Sequence, residues 1–243
     1  MIRLILSAII LAVLAPSPSF GSDKFLDFKK YATQKLLKPF AKDLGGVIGA
    51  GTFHTGRSLG FPGVDVGGHF GVQTKPDQEN EILKNAKIKT FGIPMVQGEI
   101  GLPYSFDVIL RGISYEKITL VGGGLRYGLF KWAAVPFAPG VAISGFAHSL
   151  THTDFSLSQL SGNIAVDLAI PVIYPYVGFG VDRSRIKVNR ANDASIVDTQ
   201  VSAQGTRATV GINLKPLPLV YLHGAFTSIN GNSGYEGGLG VKF

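Results

Sequence analysis

The sequence predicts an all-β protein whose long antiparallel strands close into an up-and-down barrel, preceded by one amphipathic helix. Three observations carry this. From Gly46 onward apolar residues recur with a period of two, the signature of a strand with one apolar face. The predicted strands run roughly 10 to 14 residues, where globular strands centre on about 5 or 6. Their non-apolar faces are rich in Gly and small residues instead of the Lys and Glu that solubilise the outside of a β-sandwich. Glycine makes up 32 of 243 residues, charged residues only 16% and hydrophobic residues 45%.

At the N-terminus, Met1-Ile2-Arg3 precedes an apolar run from Leu4 to Ala15. That run is too short to span a bilayer as a helix, which needs about 20 residues. Pro16 to Gly21 breaks it, with Ser19 and Gly21 small at the positions that precede an export cleavage. Residues 1–21 therefore read as a signal peptide. Residues 22–44 read as an amphipathic helix. Phe25, Phe28, Ala32, Leu36 and Phe40 form its apolar stripe, and Lys24, Lys29, Lys30, Lys35, Lys38 and Lys42 its other face. Pro39 should kink this helix and Gly45-Gly46 should end it. Such a helix suits a solvated face over a packed stripe, a lipid surface, or a plug.

Residues 45–243 read as the barrel. Alternation places strands near 62–73, 92–102, 104–112, 117–129, 137–148, 157–170, 173–185, 200–214, 217–228 and 234–243. In the last of these Tyr235, Leu239, Val241 and Phe243 share one face, and Glu236, Gly238, Gly240 and Lys242 share the other. Residues 46–57 are left over, either as part of a plug or as one of two further strands.

The export signal, the period-two strands and the ending Gly238-Leu-Gly-Val-Lys-Phe243 together resemble bacterial outer-membrane β-barrels. The resemblance implies a transmembrane antiparallel up-and-down barrel of about ten strands, twelve being possible. It also implies that Leu239, Val241 and Phe243 form an assembly signal, and that outer-membrane lipid and the barrel assembly machinery are the partners. The segment from about Phe40 to Gly71, with Gly51-Thr-Phe-His-Thr-Gly56, resembles uncharacterised barrels near the long-chain fatty-acid transporter group. The chain is shorter than that group and lacks its Asn-Pro-Ala hatch motif. The implied role is passive passage or binding of a small, possibly apolar, solute, or a structural barrel. A lipid-acting enzyme at the rim and a soluble exported β-sandwich are the alternatives.

With apolar residues facing lipid, strand parity turns Asp65, His69, Glu99, Asp107, Arg111, Arg126, Asp167, Asp182, Arg207, His223, Glu236 and Lys242 inward. Glu99, Asp107, Arg111 and Arg126 lie on three consecutive strands and form the expected lumen charge cluster. They would be either a salt-bridge network filling the barrel or a charged constriction.

No catalytic residue, metal site or cofactor is expected. The absence of Cys excludes thiolate sites and disulfides. His148-Ser-Leu-Thr-His152 has a spacing that suits a metal on a helix, but it falls on a strand end. Ser149, His152 and Asp154 lack the nucleophile elbow of a hydrolase. The formal charge of +7 is spread without a long basic run, so nucleic acid is not indicated.

Overall fold

A computed structural model describes residues 23–115, 117–131 and 137–243, so the expected signal peptide lies outside the described residues. Ten antiparallel strands form a closed barrel in which each strand pairs with its sequence neighbours and the first pairs with the last. The strands are β1 (Val64–Gln73), β2 (Phe91–Gly101), β3 (Phe106–Tyr115), β4 (Ile118–Lys131), β5 (Pro139–Thr151), β6 (Phe155–Leu168), β7 (Ile173–Val188), β8 (Gln200–Leu214), β9 (Val220–Ile229) and β10 (Asn232–Lys242). Closure removes the free edges that an open sheet would expose and rules out the sandwich alternative. The count is ten, not twelve, and residues 46–57 belong to no strand. The seam runs from Asp65 opposite Lys242 to Gln73 opposite Gly234. Val64 and Phe243 extend it by exchanging backbone hydrogen bonds of 3.0 and 2.7 Å.

Alternation along each strand sorts the side chains by face. Val177, Phe179 and Val181 of β7 and Val210 and Ile212 of β8 are about half exposed on the outside. Above Val181 the outward residues of β7 become Arg183 and Arg185. The apolar row from Ile173 to Val181 rises about 26 Å along the strand. At a tilt of about 40° that is about 20 Å of height, close to the apolar band of about 25 Å on membrane barrels. No described helix is long and apolar enough to cross a membrane.

The N-terminal segment differs from the single helix expected over 22–44. It forms a short turn of helix, α1 (Phe28–Tyr31), a 3-10 turn (Gln34–Leu36) and the main helix, α2 (Leu37–Gly49). The break falls at Ala32 and Thr33, which are extended. Pro39 lies in the first turn of α2, where its missing N–H has no carbonyl to meet, so no kink is required there. Gly45 and Gly46 do not end the helix. They let it press against the inside of the wall, because a Cβ on Gly45 would lie 1.7 Å from Ser184 Oγ and one on Gly46 2.3 Å from Ile229 Cγ2.

The segment 23–63 threads the lumen from one rim to the other. At the upper rim, Asp23 meets His152 and Lys117. Helix α2 descends against β6, β7 and β8. An irregular stretch then reaches the lower rim, where the Gly101 N–H donates to Gly63 O and β1 begins.

Candidate functional site in the barrel lumen

The lumen is packed in two layers. The upper layer is apolar. Phe25, Phe28, Leu37, Phe40 and Leu44 of the N-terminal segment pack with Phe91, Phe155, Ile186 and Val188 of the wall and with Ile82 and Leu83 of a short loop helix, α3 (Glu81–Asn85). Phe155 contacts Phe28 at 4.7 Å and Phe40 at 5.2 Å between ring centroids. Such aromatic pairs each add about 0.5–1.5 kcal/mol beyond area burial. Asp43 fastens α2 to the loop that follows β1. It accepts from Gln73 Nε2 at 2.9 Å, from the Asp77 N–H at 2.8 Å and from Asn80 Nδ2 at 2.8 Å. Burial raises the Asp43 carboxyl above its ordinary value, and these three donors oppose that rise.

The lower layer is polar. Arg126 of β4 donates to Asp107 of β3 at 2.8 Å and to Glu99 of β2 at 2.5 Å, with all three side chains almost wholly buried. Asp107 also accepts the Leu59 N–H, and Gln97 Nε2 donates to Glu99 at 2.7 Å. Across the barrel, Arg207 Nε donates to Asp182 at 2.7 Å while Arg207 Nη2 meets Asn163 at 2.7 Å and Ser161 at 2.9 Å. Asp167 accepts from the descending segment: from Thr55 Oγ1 at 2.6 Å, the Gly56 N–H at 2.9 Å and Arg57 Nε at 2.8 Å. Arg57 also donates to the carbonyl of Ala138. Glu236 accepts from Thr209 at 3.1 Å. These bonds answer the large desolvation penalty of buried charge.

Arg111 stands apart from the cluster in which the sequence placed it. Its Nη2 donates to the carbonyls of Ala50 and Gly51 at 3.2 and 3.3 Å, its Nε and Nη1 have no hydrogen-bond partner among the described residues, and its guanidinium lies over the Phe146 ring. Parity turns Arg111 inward as expected. The descending segment takes it as a donor, and no hydrogen bond joins it to Glu99 or Asp107 among the described residues. Lys242 sits at the lower rim, partly exposed, 3.4 Å from Asp65. Leu239 and Phe243 face outward and are exposed.

A third group lies beside the closing seam. His54 of the descending segment, His69 of β1 and His223 of β9 are all buried, and one ring nitrogen of each lies within 4.8 Å of the others. His69 Nδ1 is 3.0 Å from His223 Nε2. The far nitrogens meet tyrosines: His69 Nε2 is 3.3 Å from Tyr221 Oη, and His223 Nδ1 is 3.2 Å from Tyr176 Oη. Tyr221 donates to Asp65 at 3.0 Å. His54 stacks on Tyr221 and on His223, each at 4.9 Å between centroids. Neither of its ring nitrogens has a hydrogen-bond partner among the described residues.

The histidines singled out by spacing do not join this group. His148 meets Gln159 at 2.7 Å and His152 meets Asp23 at 3.3 Å. Ser149 points outward while His152 is buried, so Ser149, His152 and Asp154 assemble no triad. The sequence reading missed His54, which lay in the unassigned stretch, and Tyr176. Tyr221, which the sequence analysis did not single out, is buried on the inward face of its strand. The available signal was the parity that Tyr221 shares with His223, two residues on.

No curated protein is similar in sequence. Many solved structures are similar in fold, three of them as follows. Neisserial surface protein A is 13% identical over 74% of this chain and 94% of its own, with a TM-score of 0.31. An outer membrane channel from Pseudomonas putida F1 is 7% identical over 77% and 98%, with a TM-score of 0.49. LpxR from Salmonella typhimurium is 7% identical over 72% and 99%, with a TM-score of 0.39. Residues 80–243, about two thirds of the sequence, match the model of a family of unknown function, DUF6588, and the chain belongs to that family.

Proposed function

We propose that this chain is a bacterial outer-membrane β-barrel that crosses the membrane as a closed cylinder plugged by its own N-terminal segment, and that it works as a structural or ligand-holding barrel instead of an open diffusion pore. The carrying observation is the occupancy of the lumen. Leu37, Phe40, Leu44, Val47 and Ile48 of α2 are buried inside it, and Glu99, Asp107, Arg126, Asp182 and Arg207 below are 5% exposed or less. A ten-stranded barrel lies between the eight-stranded ones that side chains fill and the 16-stranded porins that conduct water. The outward apolar row supports contact with lipid, and Leu239, Val241 and Phe243 are the segment the assembly machinery reads. Fatty-acid passage, which the transporter resemblance implies, is disfavoured by a lower lumen built from ion pairs. No catalytic step belongs to this reading.

The test is fractionation followed by planar-bilayer recording of the purified protein. The expected result is recovery with the outer membrane in a heat-modifiable form and little or no conductance. Recovery as a soluble periplasmic monomer refutes the location. Steady, porin-like conductance refutes the plugged cylinder.

A further inference from the structure

We propose that His54, His69 and His223 form a binding site for a divalent first-row transition-metal ion of the zinc class, which clasps the plug to the closing seam of the barrel. The site holds whether or not the barrel conducts, because conductance and metal content are separate measurements.

The strand register builds the site. His69, Gly238 and His223 stand opposite one another on three adjacent strands, β1, β10 and β9. The middle position has no side chain. A Cβ on Gly238 would lie 2.6 Å from His223 Nε2 and 2.7 Å from His69 Nδ1, so any other residue would fill the gap between the two rings. With glycine there, the two nitrogens approach to 3.0 Å across the intervening strand. Two nitrogens bound at about 2.0–2.1 Å in a tetrahedral site stand about 3.3–3.4 Å apart. A few tenths of an ångström of ring movement therefore converts the contact into a chelating pair.

His54 supplies the third donor and is the most telling of the three. It is 1% exposed, and both of its ring nitrogens lack a hydrogen-bond partner among the described residues. A buried imidazole without partners is costly. A cation held where one nitrogen of each of the three rings lies within 4.8 Å of the others, reached by a turn of the stacked His54 ring, resolves that cost.

The outer contacts have the form that metal-bound histidines use. A ligating imidazole donates its other N–H to an oxygen, which fixes its tautomer and raises its basicity. Here His69 ligates through Nδ1 and donates from Nε2 to Tyr221 Oη, which itself donates a hydrogen bond to Asp65. His223 ligates through Nε2 and donates from Nδ1 to Tyr176 Oη. In the metal-free state one of the two facing nitrogens carries a hydrogen. On metal binding that hydrogen sits instead on the far nitrogen of the same ring, so both imidazoles stay neutral and the tautomer alone changes. Three imidazoles leave a fourth position for water, and imidazole donors suit zinc, copper and nickel.

The test uses the full barrel purified in detergent, together with the same chain refolded from urea into detergent with excess Zn2+. Each is desalted against a weak chelator before metal analysis. The expected result is one zinc per chain in the refolded protein. Co2+ in its place should give the intense visible absorption of a four-coordinate site with three imidazoles and a water. His54→Gln and His223→Gln should each weaken binding by at least about 10–100-fold, and Tyr176→Phe by less, whereas His148→Gln, a buried histidine outside the group, should bind as the parent does. If the His variants fail to fold, the parent's stoichiometry and Co2+ spectrum together with Tyr176→Phe decide the matter. A parent protein that is heat-modifiable yet retains no metal overturns the proposal. So does one whose metal binding is unchanged in a folded His54→Gln, His223→Gln double variant.

Discussion

Replacing Arg126 by methionine removes the one cation shared by Glu99 and Asp107 while roughly keeping its volume. The bonds lost are the 2.5 Å contact to Glu99 and the 2.8 Å contact to Asp107. What remains on the carboxylates is the amide of Gln97 and the N–H of Leu59. Breaking a buried pair by removing one partner costs about 3–5 kcal/mol. The expected loss for Arg126→Met is therefore about 4 kcal/mol at pH 7. Adding Glu99→Gln and Asp107→Asn removes the stranded charge and should recover most of the loss at pH 7. The assay is urea titration in detergent micelles, scored by the fraction running as the compact band on an unheated gel. A loss under about 1 kcal/mol at pH 7 would show that the triad carries no net charge balance in the lumen.

Two further substitutions test how the plug is held. Gly49→Ala places a methyl 2.6 Å from Asp182 Oδ1 and 2.7 Å from Arg207 Nε. It should lower stability by about 1–3 kcal/mol, as overpacking does, and an unchanged urea midpoint would mean that α2 does not lie against the wall. Asp43→Ala removes the acceptor shared by Gln73, Asp77 and Asn80. At about 1.5–3 kcal/mol for each charge-assisted bond, the loop over residues 74–90 should open to trypsin at Lys84, Lys87 and Lys89, and equal digestion of parent and variant would count against the clasp.

Period two made the strands legible because, over the lipid-facing band, outward positions are mostly apolar and the inward ones of the lower lumen mostly polar or small, so each strand shows which way its side chains face without knowledge of its neighbours. The ten spans read from the sequence each overlap an observed strand, and β8 coincides with its reading. The plug was legible only in part. Its apolar stripe pointed to a buried helix, but Gly45 and Gly46 look like a helix stop until Ser184 and Ile229 are seen against them. Which inward charges pair was hidden as well. Parity gives the direction of Arg111, but its partners are the backbone carbonyls of Ala50 and Gly51, belonging to a segment whose course carries no periodic signal. The histidine group was obscured for a related reason: its members come from residues 54, 69 and 223, and only the closure of β1 on β10 makes the last two neighbours.

The threaded N-terminal segment constrains the order of assembly. Its upper end is tied to His152 and Lys117 at one rim, and its lower end continues into β1 at the other. A ring that closed first would have to admit this whole segment lengthwise, drawing Phe25, Phe28 and Phe40 past the ion pairs of the lower layer. Wrapping is simpler: the sheet curls around a segment already laid along its inner face, and the joining of β1 to β10 is the final event. Once that seam is zipped, the segment is a bolt held captive. It can leave only by sliding back through the full bore toward the rim where β1 begins, or by reopening the seam itself.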